Sequence, residues 1–374
     1  MSRIVIVGGY GAFGAHAVER LAAEPNIHIV VAGRSRERAQ ACAEALRRTA
    51  RANVSSATLD ATRASSEEIS ALGANILINA SGPFQDQRYE LARACIEAGC
   101  HYIDLADARA FVTGIAELDA AARSANVCVI SGASSVPGLS SVVVKDLARQ
   151  FSRLEDIAIG ISPGNSFDPG VATVASILGG IGKPFNRRGD GREETAYGWQ
   201  GLHRRQFPGL GSRWMADVDV PDLDLLPKHH PSLRSARFFA GLEVGLFHLG
   251  LWSLSWLVRA GWVRNLKPLA GPLLSAKRAL RVLGSDQGGM FVSLRGADTD
   301  GTRKVIQWTL VARSGHGPYV PALPSVILSK QLAVGAGPPP GARACLGLFT
   351  LQEFGEAVHG LHITWETSTA SSDN

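Results

Sequence analysis

Gly8, Gly9, Gly11 and Gly14 crowd one short run near the start of the chain, VIVGGYGAFG. Glycines at this spacing do chemistry without side chains. Bare backbone can approach a phosphate closely, and the amides of a helix that follows can bind it. Gly9, Gly11 and Gly14 spell G-x-G-x-x-G. In that reading Gly9 permits the tight turn, Gly11 lets the backbone approach a pyrophosphate, and Gly14 lets the helix pack close to the strand. Ala12 and Phe13, between the last two glycines, complete the phosphate-facing set.

Gly8, Gly11 and Gly14 also spell G-x-x-G-x-x-G, common in short-chain reductases. That chemistry needs a Tyr-x-x-x-Lys pair, in which lysine lowers the tyrosine pKa so that it can act as a general acid. The tyrosines are Tyr10, Tyr89, Tyr102, Tyr197 and Tyr319, and none has lysine four residues later. The first pattern therefore stands. The next strand ends VVAGRSRER, with Arg34 and Ser35 where an NAD site places an Asp or Glu for the ribose 2′-hydroxyl. Guanidinium groups suit a 2′-phosphate, so the cofactor expected is NADP(H). Asp60, after the third strand, either bonds the adenine amine or fixes a turn. Ala80, Ser81, Gly82 and Pro83, in NASGPF after the fourth strand, are small enough to run close beneath a nicotinamide ribose.

Hydride chemistry also needs a proton donor or acceptor. Asp104 and Asp107 follow the fifth strand in CHYIDLADARAF, at the sheet edge where such folds bind substrates. Asp107 is the candidate for proton transfer or for holding a cationic amine, the alternative being a helix cap. His101, at the strand's start, reads as structural. Trp199, Gln200, His203, Arg204, Arg205, Arg213 and Trp214 form a loop-like stretch that could be a substrate wall or a contact surface. His229 and His230 lack the spacing and the companions of a metal site, so no metal is expected.

These residues need elements to position them. RIVIVG is a β-branched run of the kind buried on both faces of a parallel sheet. Five more strands, IHIVVAG, VSSATLDAT, ANILINASGPF, CHYIDLAD and VCVISGASSVPG, alternate with helical patterns, and Ser65 or Ser66 can cap one of the helices. The fold class is α/β, a doubly wound parallel sheet of the Rossmann type with an inserted α+β second domain. In GGMFVSLRGADTDGTRKVIQWTLVA, two alternating runs flank Asp300-Gly301 and predict a hairpin. GAGPPPGA, residues 335–342, reads as a turn or linker. The expected division is 1–135, an NADP-binding Rossmann domain; 136–325, an α+β substrate or oligomerisation domain; 326–366, a segment returning to the Rossmann domain; and 367–374, a disordered tail.

The chain has 374 residues, 45% hydrophobic and 19% charged, with net charge +5. The excess arginine is scattered without basic blocks, so no nucleic-acid partner is expected. An odd number of cysteines, Cys42, Cys95, Cys100, Cys128 and Cys345, without C-x-x-C, reads as free thiols in a reducing compartment. The first strand follows the initiator at once, which leaves no room for a signal peptide, and the expected location is cytoplasmic. VGLFHLGLWSLSWLV, residues 244–258, lacks any formal charge but is short of the ~20 residues of a spanning helix. It reads as a buried helix or pocket wall, with contact at a membrane surface as the alternative, carried by Trp252, Trp256 and Trp262.

The stretches VIVGGYGAFG, VVAGRS, LINASGPFQDQRYELARACIEAGCHYIDLAD and ISGASSVPGLSS resemble the saccharopine dehydrogenase-like, NADP-binding oxidoreductases. The likeness covers roughly residues 1–145; GSDQGGMFVSLRG and GHGPYVPALP in the second half suit an uncharacterised bacterial branch. Relatives in this family, saccharopine reductase and the carboxynorspermidine and homospermidine synthases among them, build or break secondary amines by hydride transfer at a C=N carbon. The resemblance implies hydride transfer to or from a C=N or C=O carbon of a small-molecule substrate. It also implies that LFTLQEFGEAVHGL packs on the Rossmann domain. One departure counts against saccharopine as the substrate. The family's Asp-Pro-Gly turn is replaced by Ser135-Val136 before Pro137-Gly138, so an acidic group is missing. A non-catalytic, nucleotide-binding regulatory or lipid-associated protein of the same fold is the competing expectation, and a homodimer is compatible with either.

Overall fold

The computed structural model describes residues 1–85 and 87–371. It divides into two compact units: Met1–Leu139 with Pro318–Ala357, and Ser140–Gly317 with the chain from Val358 onward. The first unit opens with β1 (Ser2–Val7), α1 (Gly14–Ala22), β2 (Ile27–Gly33), α2 (Arg36–Arg47), β3 (Asn53–Thr58) and α3 (Ser66–Ala71). It continues with β4 (Ile76–Asn79), α4 (Glu90–Glu97), β5 (His101–Asp104), α5 (Arg109–Gly114), α6 (Asp119–Ser124) and β6 (Cys128–Ser131). The second unit begins with α7 (Ser140–Ala148), β7 (Arg153–Ser162), α8 (Gly170–Gly180), β8 (Pro184–Gly189), β9 (Arg192–Tyr197), β10 (His203–Phe207) and β11 (Gly211–Asp217). It runs on through α9 (Asp222–His229), β12 (Ser235–Ala240), α10 (Gly245–Arg259), α11 (Ala270–Ala279), β13 (Gly288–Ala297) and β14 (Arg303–Ala312). The chain then returns to the first unit with α12 (Tyr319–Ala333), β15 (Gly341–Ala344) and α13 (Leu351–Ala357), and ends in the second with β16 (Ile363–Ser371).

The first unit is a seven-stranded sheet in the order β15-β6-β5-β4-β1-β2-β3. Every pairing in it is parallel. Ile4 to Val7 are buried, as a strand covered by helices on both faces requires. Helix α1 turns Ala17, Val18, Leu21 and Ala22 inward. The strand order reverses between β1 and β4, which opens a crevice beyond their carboxyl ends. Of the two candidate caps for α3, Ser65 is the one used. Its hydroxyl accepts from Glu68 N at 3.3 Å, and the Glu68 carboxylate accepts from Ser65 N at 2.9 Å. Ser65→Ala is expected to cost about 1 kcal/mol in urea denaturation, and no measurable loss would mean that this reciprocal cap contributes nothing.

The second unit has a seven-stranded sheet in the order β10-β11-β12-β7-β13-β14-β16 and a separate two-stranded one, β8-β9. Strands β13 and β14 form the expected hairpin, paired from Gly288↔Ala312 to Ala297↔Arg303. Gly301 sits in its turn at φ +79°.

Two expectations are corrected. The segment given to a disordered tail, 367–374, belongs to a strand as far as Ser371, and its last three residues lie outside the described ones. Strand β16 pairs antiparallel with β14 along its whole length. Small polar residues suggest a free end, but the threonines fit a pleated edge, and β14 offers an open row of backbone groups. Within 335–342, Gly341 and Ala342 already belong to β15, which pairs with β6. Four residues are too few for periodicity to reveal. LFTLQEFGEAVHGL supplies α13, in the first unit, with Phe354 buried. Among the described residues, no helix is long and apolar enough to cross a membrane.

Candidate functional site

The glycine loop leaves β1 at the crevice and enters α1. Gly8 takes φ +78°, a left-handed conformation that favours glycine. The sharp turn is therefore at Gly8 rather than Gly9, and it is closed by Gly11 N donating to Gly8 O at 2.8 Å. A Cβ on Gly8 would lie 2.9 Å from the Ala80 carbonyl. One on Gly9 would press on Ile6 O, Val18 and Val31, and one on Gly14 would lie 2.2 Å from Gly8 O. Gly8, Gly9 and Gly14 are thus required by close backbone approach, and a Cβ on Gly11 would sit tightly at 3.0 Å from Gly8 O, which is why both glycine patterns fit the sequence.

The N-terminus of α1 follows directly on this loop. The first amides of an α-helix have no intrahelical acceptor, and no side chain caps this end at Phe13. The loop thus combines a helix N-terminus without a side-chain cap with glycines that carry no Cβ, and this fits a pyrophosphate. Gly11, Ala12, Phe13 and Gly14 would hold it.

The end of β2 lies beside this loop. Gly33 packs under Tyr10, whose ring would meet a Cβ there at 2.5 Å from the hydroxyl. Tyr10 Oη accepts from Ser35 N at 3.0 Å, and the Arg38 guanidinium lies 4.6 Å from the centre of the Tyr10 ring. Ser35 also caps α2, accepting from Arg38 N at 3.3 Å. Arg34 is exposed. Asp60 fixes a turn through Thr62, whose N–H and hydroxyl donate to Oδ1 at 3.0 and 2.9 Å. These two bonds first, and the charges of Arg34 and Arg63 after them, hold the Asp60 carboxyl below its usual range. The sequence offers an adenine contact or a turn for Asp60, and the turn is present. Sequence reasoning misses Tyr10, whose only signal is an aromatic residue amid glycines. Tyr10→Phe should weaken NADPH binding by roughly fivefold, the worth of one ordinary hydrogen bond, in a fluorescence titration. Unchanged affinity would mean that Ser35 holds its place without the hydroxyl.

The exit of β4 adjoins the same loop. Ala80 N donates to Val7 O at 2.8 Å, and Asn79 Oδ1 accepts from Ser81 N at 3.1 Å and from the Ser81 hydroxyl at 2.5 Å. Gly82 and Pro83 are exposed, and Phe84 folds back against Phe111 with ring centres 5.4 Å apart. The expected cofactor residues of β1, β2 and β4 are thereby brought to one edge of one sheet.

Asp104, the last residue of β5, and Asp107, beyond it, part company. Asp104 is fully buried, and its Oδ1 accepts from Gly132 N at 2.8 Å, Ser131 Oγ at 2.9 Å and Ala106 N at 3.0 Å. It ties the exits of β5 and β6 together. Burial raises its pKa and the three donors lower it; burial wins, and the carboxyl is pushed up to about 6. Asp107 is exposed. Its Oδ1 accepts from Gln85 Nε2 at 3.4 Å. It does not cap α5, whose N-cap is Ala108 without a side-chain bond. His101 is structural, its Nδ1 accepting from Cys128 N at 2.9 Å.

The stretch 199–214 is a loop only at residues 199–202 and at the turn between its two strands. His203, Arg204 and Arg205 lie on β10, and Arg213 and Trp214 on β11, paired as a hairpin. Arg213 is buried, bonded to the carbonyls of Ser162 and Gln287 at 3.0 Å each and 3.4 Å from Glu243. Trp199 and Gln200 are buried as well. The glycines at 209 and 211 turn the chain back on itself, so these cations and indoles are spent largely on the sheet's own packing. Among the described residues, no group of His, Cys, Asp or Glu could hold a metal ion.

Residues 4–130 match the family model described as the saccharopine dehydrogenase NADP binding domain. Among solved structures, the chain resembles apo saccharopine dehydrogenase (L-Glu forming) from Saccharomyces cerevisiae. The identity is 14% and the TM-score 0.65, and the match covers 98% of this chain and 100% of that one. The amine dehydrogenase of Mycobacterium smegmatis aligns at 11% identity and a TM-score of 0.47, covering 93% and 95% of the two chains. No curated protein matches by sequence. Residues 4–130 are therefore similar to a saccharopine dehydrogenase NADP-binding domain, and the chain as a whole shares its fold with a saccharopine dehydrogenase.

Proposed function

We propose that this protein catalyses hydride transfer to or from a C=N or C=O carbon of a small-molecule substrate. The observation that carries the reading is the convergence of the glycine loop, the Arg34–Ser35 end of β2 and the Ala80–Pro83 turn on one crevice. NADP(H) bound there supplies or accepts the hydride. The amides at the start of α1 would bind the pyrophosphate, and Gly11, whose own amide closes the turn on Gly8 O, would leave it room. Arg34 and Ser35 would bind the 2′-phosphate, since no carboxylate ends β2 to receive a 2′-hydroxyl. Ala80, Ser81, Gly82 and Pro83 would lie beneath the nicotinamide ribose.

Asp107 is the group proposed to meet the substrate. Exposed at the carboxyl edge of the sheet and held through Gln85, it can accept a proton or pair with a protonated amine. Asp104 is not that group: its carboxyl is enclosed, and its Oδ1 already serves three donors. The absence of an acidic residue at Ser135-Val136 removes one partner for a bis-amino-acid, so a substrate with a single cationic centre or a neutral carbonyl is favoured.

The test is NADPH oxidation by the full chain against a panel of imines and ketones, run beside a nicotinamide fluorescence titration with NADPH and NADH. NADPH should bind at least tenfold more tightly than NADH (~1.4 kcal/mol), and Arg34→Ala should remove that preference while leaving NADH affinity unchanged. Turnover of at least one substrate, lost in Asp107→Asn, carries the proposal. No consumption of NADPH with any of them, in a protein that still binds it, would overturn the catalytic reading.

A further inference from the structure

Helices α8, α10 and α11 pack together around Leu178, Val258 and Leu266, one apolar cluster of the second unit. Much of what α8 and α10 leave exposed is apolar too. Helix α10 carries no charge before Arg259. A helix that is apolar all round belongs under cover, yet Leu246, Gly250, Ser253 and Trp256 form an exposed stripe along it. Leu246 is 70% exposed, Trp262 81% and Val282 88%. Single exposed apolar residues need no explanation, but Val171 on α8, Leu246 and Trp256 on α10, Trp262 just after α10 and Val282 just after α11 are exposed together in one segment of the second unit, and that does.

The charge of the same segment is one-sided. From Val244 to Ser285 the chain has Arg259, Arg264, Lys267, Lys277, Arg278 and Arg281, and no Asp or Glu. Arg278 pairs with Asp168 at 2.7 Å, and Lys277 donates to the carbonyls of Asn165 and Phe167. Arg259, Arg264 and Arg281 are exposed.

We propose that this face of the second unit docks on an anionic phospholipid bilayer. Leu246, Trp256, Trp262 and Val282 would enter the boundary between headgroups and acyl chains, where indoles are favoured. The arginines would remain at the level of the lipid phosphates. The chain would lie on the bilayer, since no described helix is long and apolar enough to cross it. A second copy of the chain is a poorer occupant: a two-fold contact sets the same patch against itself, and here that opposes cation to cation.

The experiment is co-sedimentation of the full chain with vesicles of phosphatidylcholine alone and of phosphatidylcholine with phosphatidylglycerol, at low and high salt. Two double variants accompany it, Trp262→Ser with Val282→Ser and Arg264→Glu with Arg281→Glu. The altered side chains are exposed, so thermal melts and NADPH affinity should match the wild type. Binding to the anionic vesicles alone, weakened by salt, is the expected result. It should fall roughly tenfold for each apolar side chain removed and roughly fivefold or more for each arginine reversed. The proposal is overturned if the wild type ignores anionic vesicles at low salt, or if the variants bind as it does. It is also overturned if the free protein sediments as a dimer that the Trp262/Val282 variant dissociates, which would make the face a self-interface. Loss of vesicle binding leaves the NADPH result untouched, so this proposal and the catalytic one fail separately.

Discussion

Gly14→Ala is expected to remove measurable NADPH binding. The added Cβ would lie 2.2 Å from Gly8 O, 2.8 Å from Gly8 C and 3.1 Å from Gly9 Cα, all backbone atoms. No rotamer relieves that overlap, so α1 must move away from the exit of β1 and carry its first amides off the pyrophosphate position. A hundredfold loss of affinity (~2.7 kcal/mol) is the least expected, together with about 1–3 kcal/mol of stability from the strain. Gly271→Ala is the control. Its Cβ would meet nothing within 4 Å, and alanine is the better helix former in α11. Nicotinamide fluorescence reads the affinity and urea denaturation the stability. A Gly14→Ala protein that binds NADPH as the wild type does would separate the glycine loop from the cofactor.

The second large effect concerns Asp104 and has a defined pH window. Its carboxyl is raised from 3.8 to about 6, chiefly by burial. Below the unfolded value both states hold the proton. Between there and about 6 the folded state binds more protons than the unfolded, so stability falls as pH rises, and the loss is complete above about 6. Its size is about 3 kcal/mol. Asp104→Asn keeps an oxygen for Ser131, Gly132 and Ala106 but cannot ionise. Its stability should therefore lack this component of the pH dependence, which is read as the difference between the two proteins in urea titrations from acid to neutral pH. Asp104→Leu is different in kind. It strands three buried donors and should cost more than about 3 kcal/mol at every pH. Parallel pH profiles for wild type and Asp104→Asn would mean that the buried carboxyl is not the titrating group.

Much of the first unit is legible in the sequence. β-branched runs at regular spacing, each followed by a helical pattern, specify strands buried on both faces, and glycines between the first strand and helix specify the loop. The family likeness rests on the same residues. What escapes is whatever depends on distant pairing. Strand β15 has four residues and no periodicity of its own, and only the open edge of β6 makes it a strand. The threonine-rich end reads as a tail because nothing local says that β14 lacks a partner on that side. The cluster of Arg and Trp at 199–214 reads as a loop because charge density hides the alternation of a hairpin.

By itself the sequence determined the parallel, helix-covered strands of the first sheet and the residues at its carboxyl edge, and it raised the expectation of a 2′-phosphate, because strand burial, glycine geometry and charge act within a few residues of one another. Only the tertiary structure decided between residues of the same type. It buried Asp104 under three donors and left Asp107 open, made Arg213 a strut of the second sheet and left Arg34 exposed, and turned one stripe of an apolar helix outward. Burial, hydrogen-bond satisfaction and exposure are properties of what the rest of the chain places around a residue, and no local window of sequence contains them.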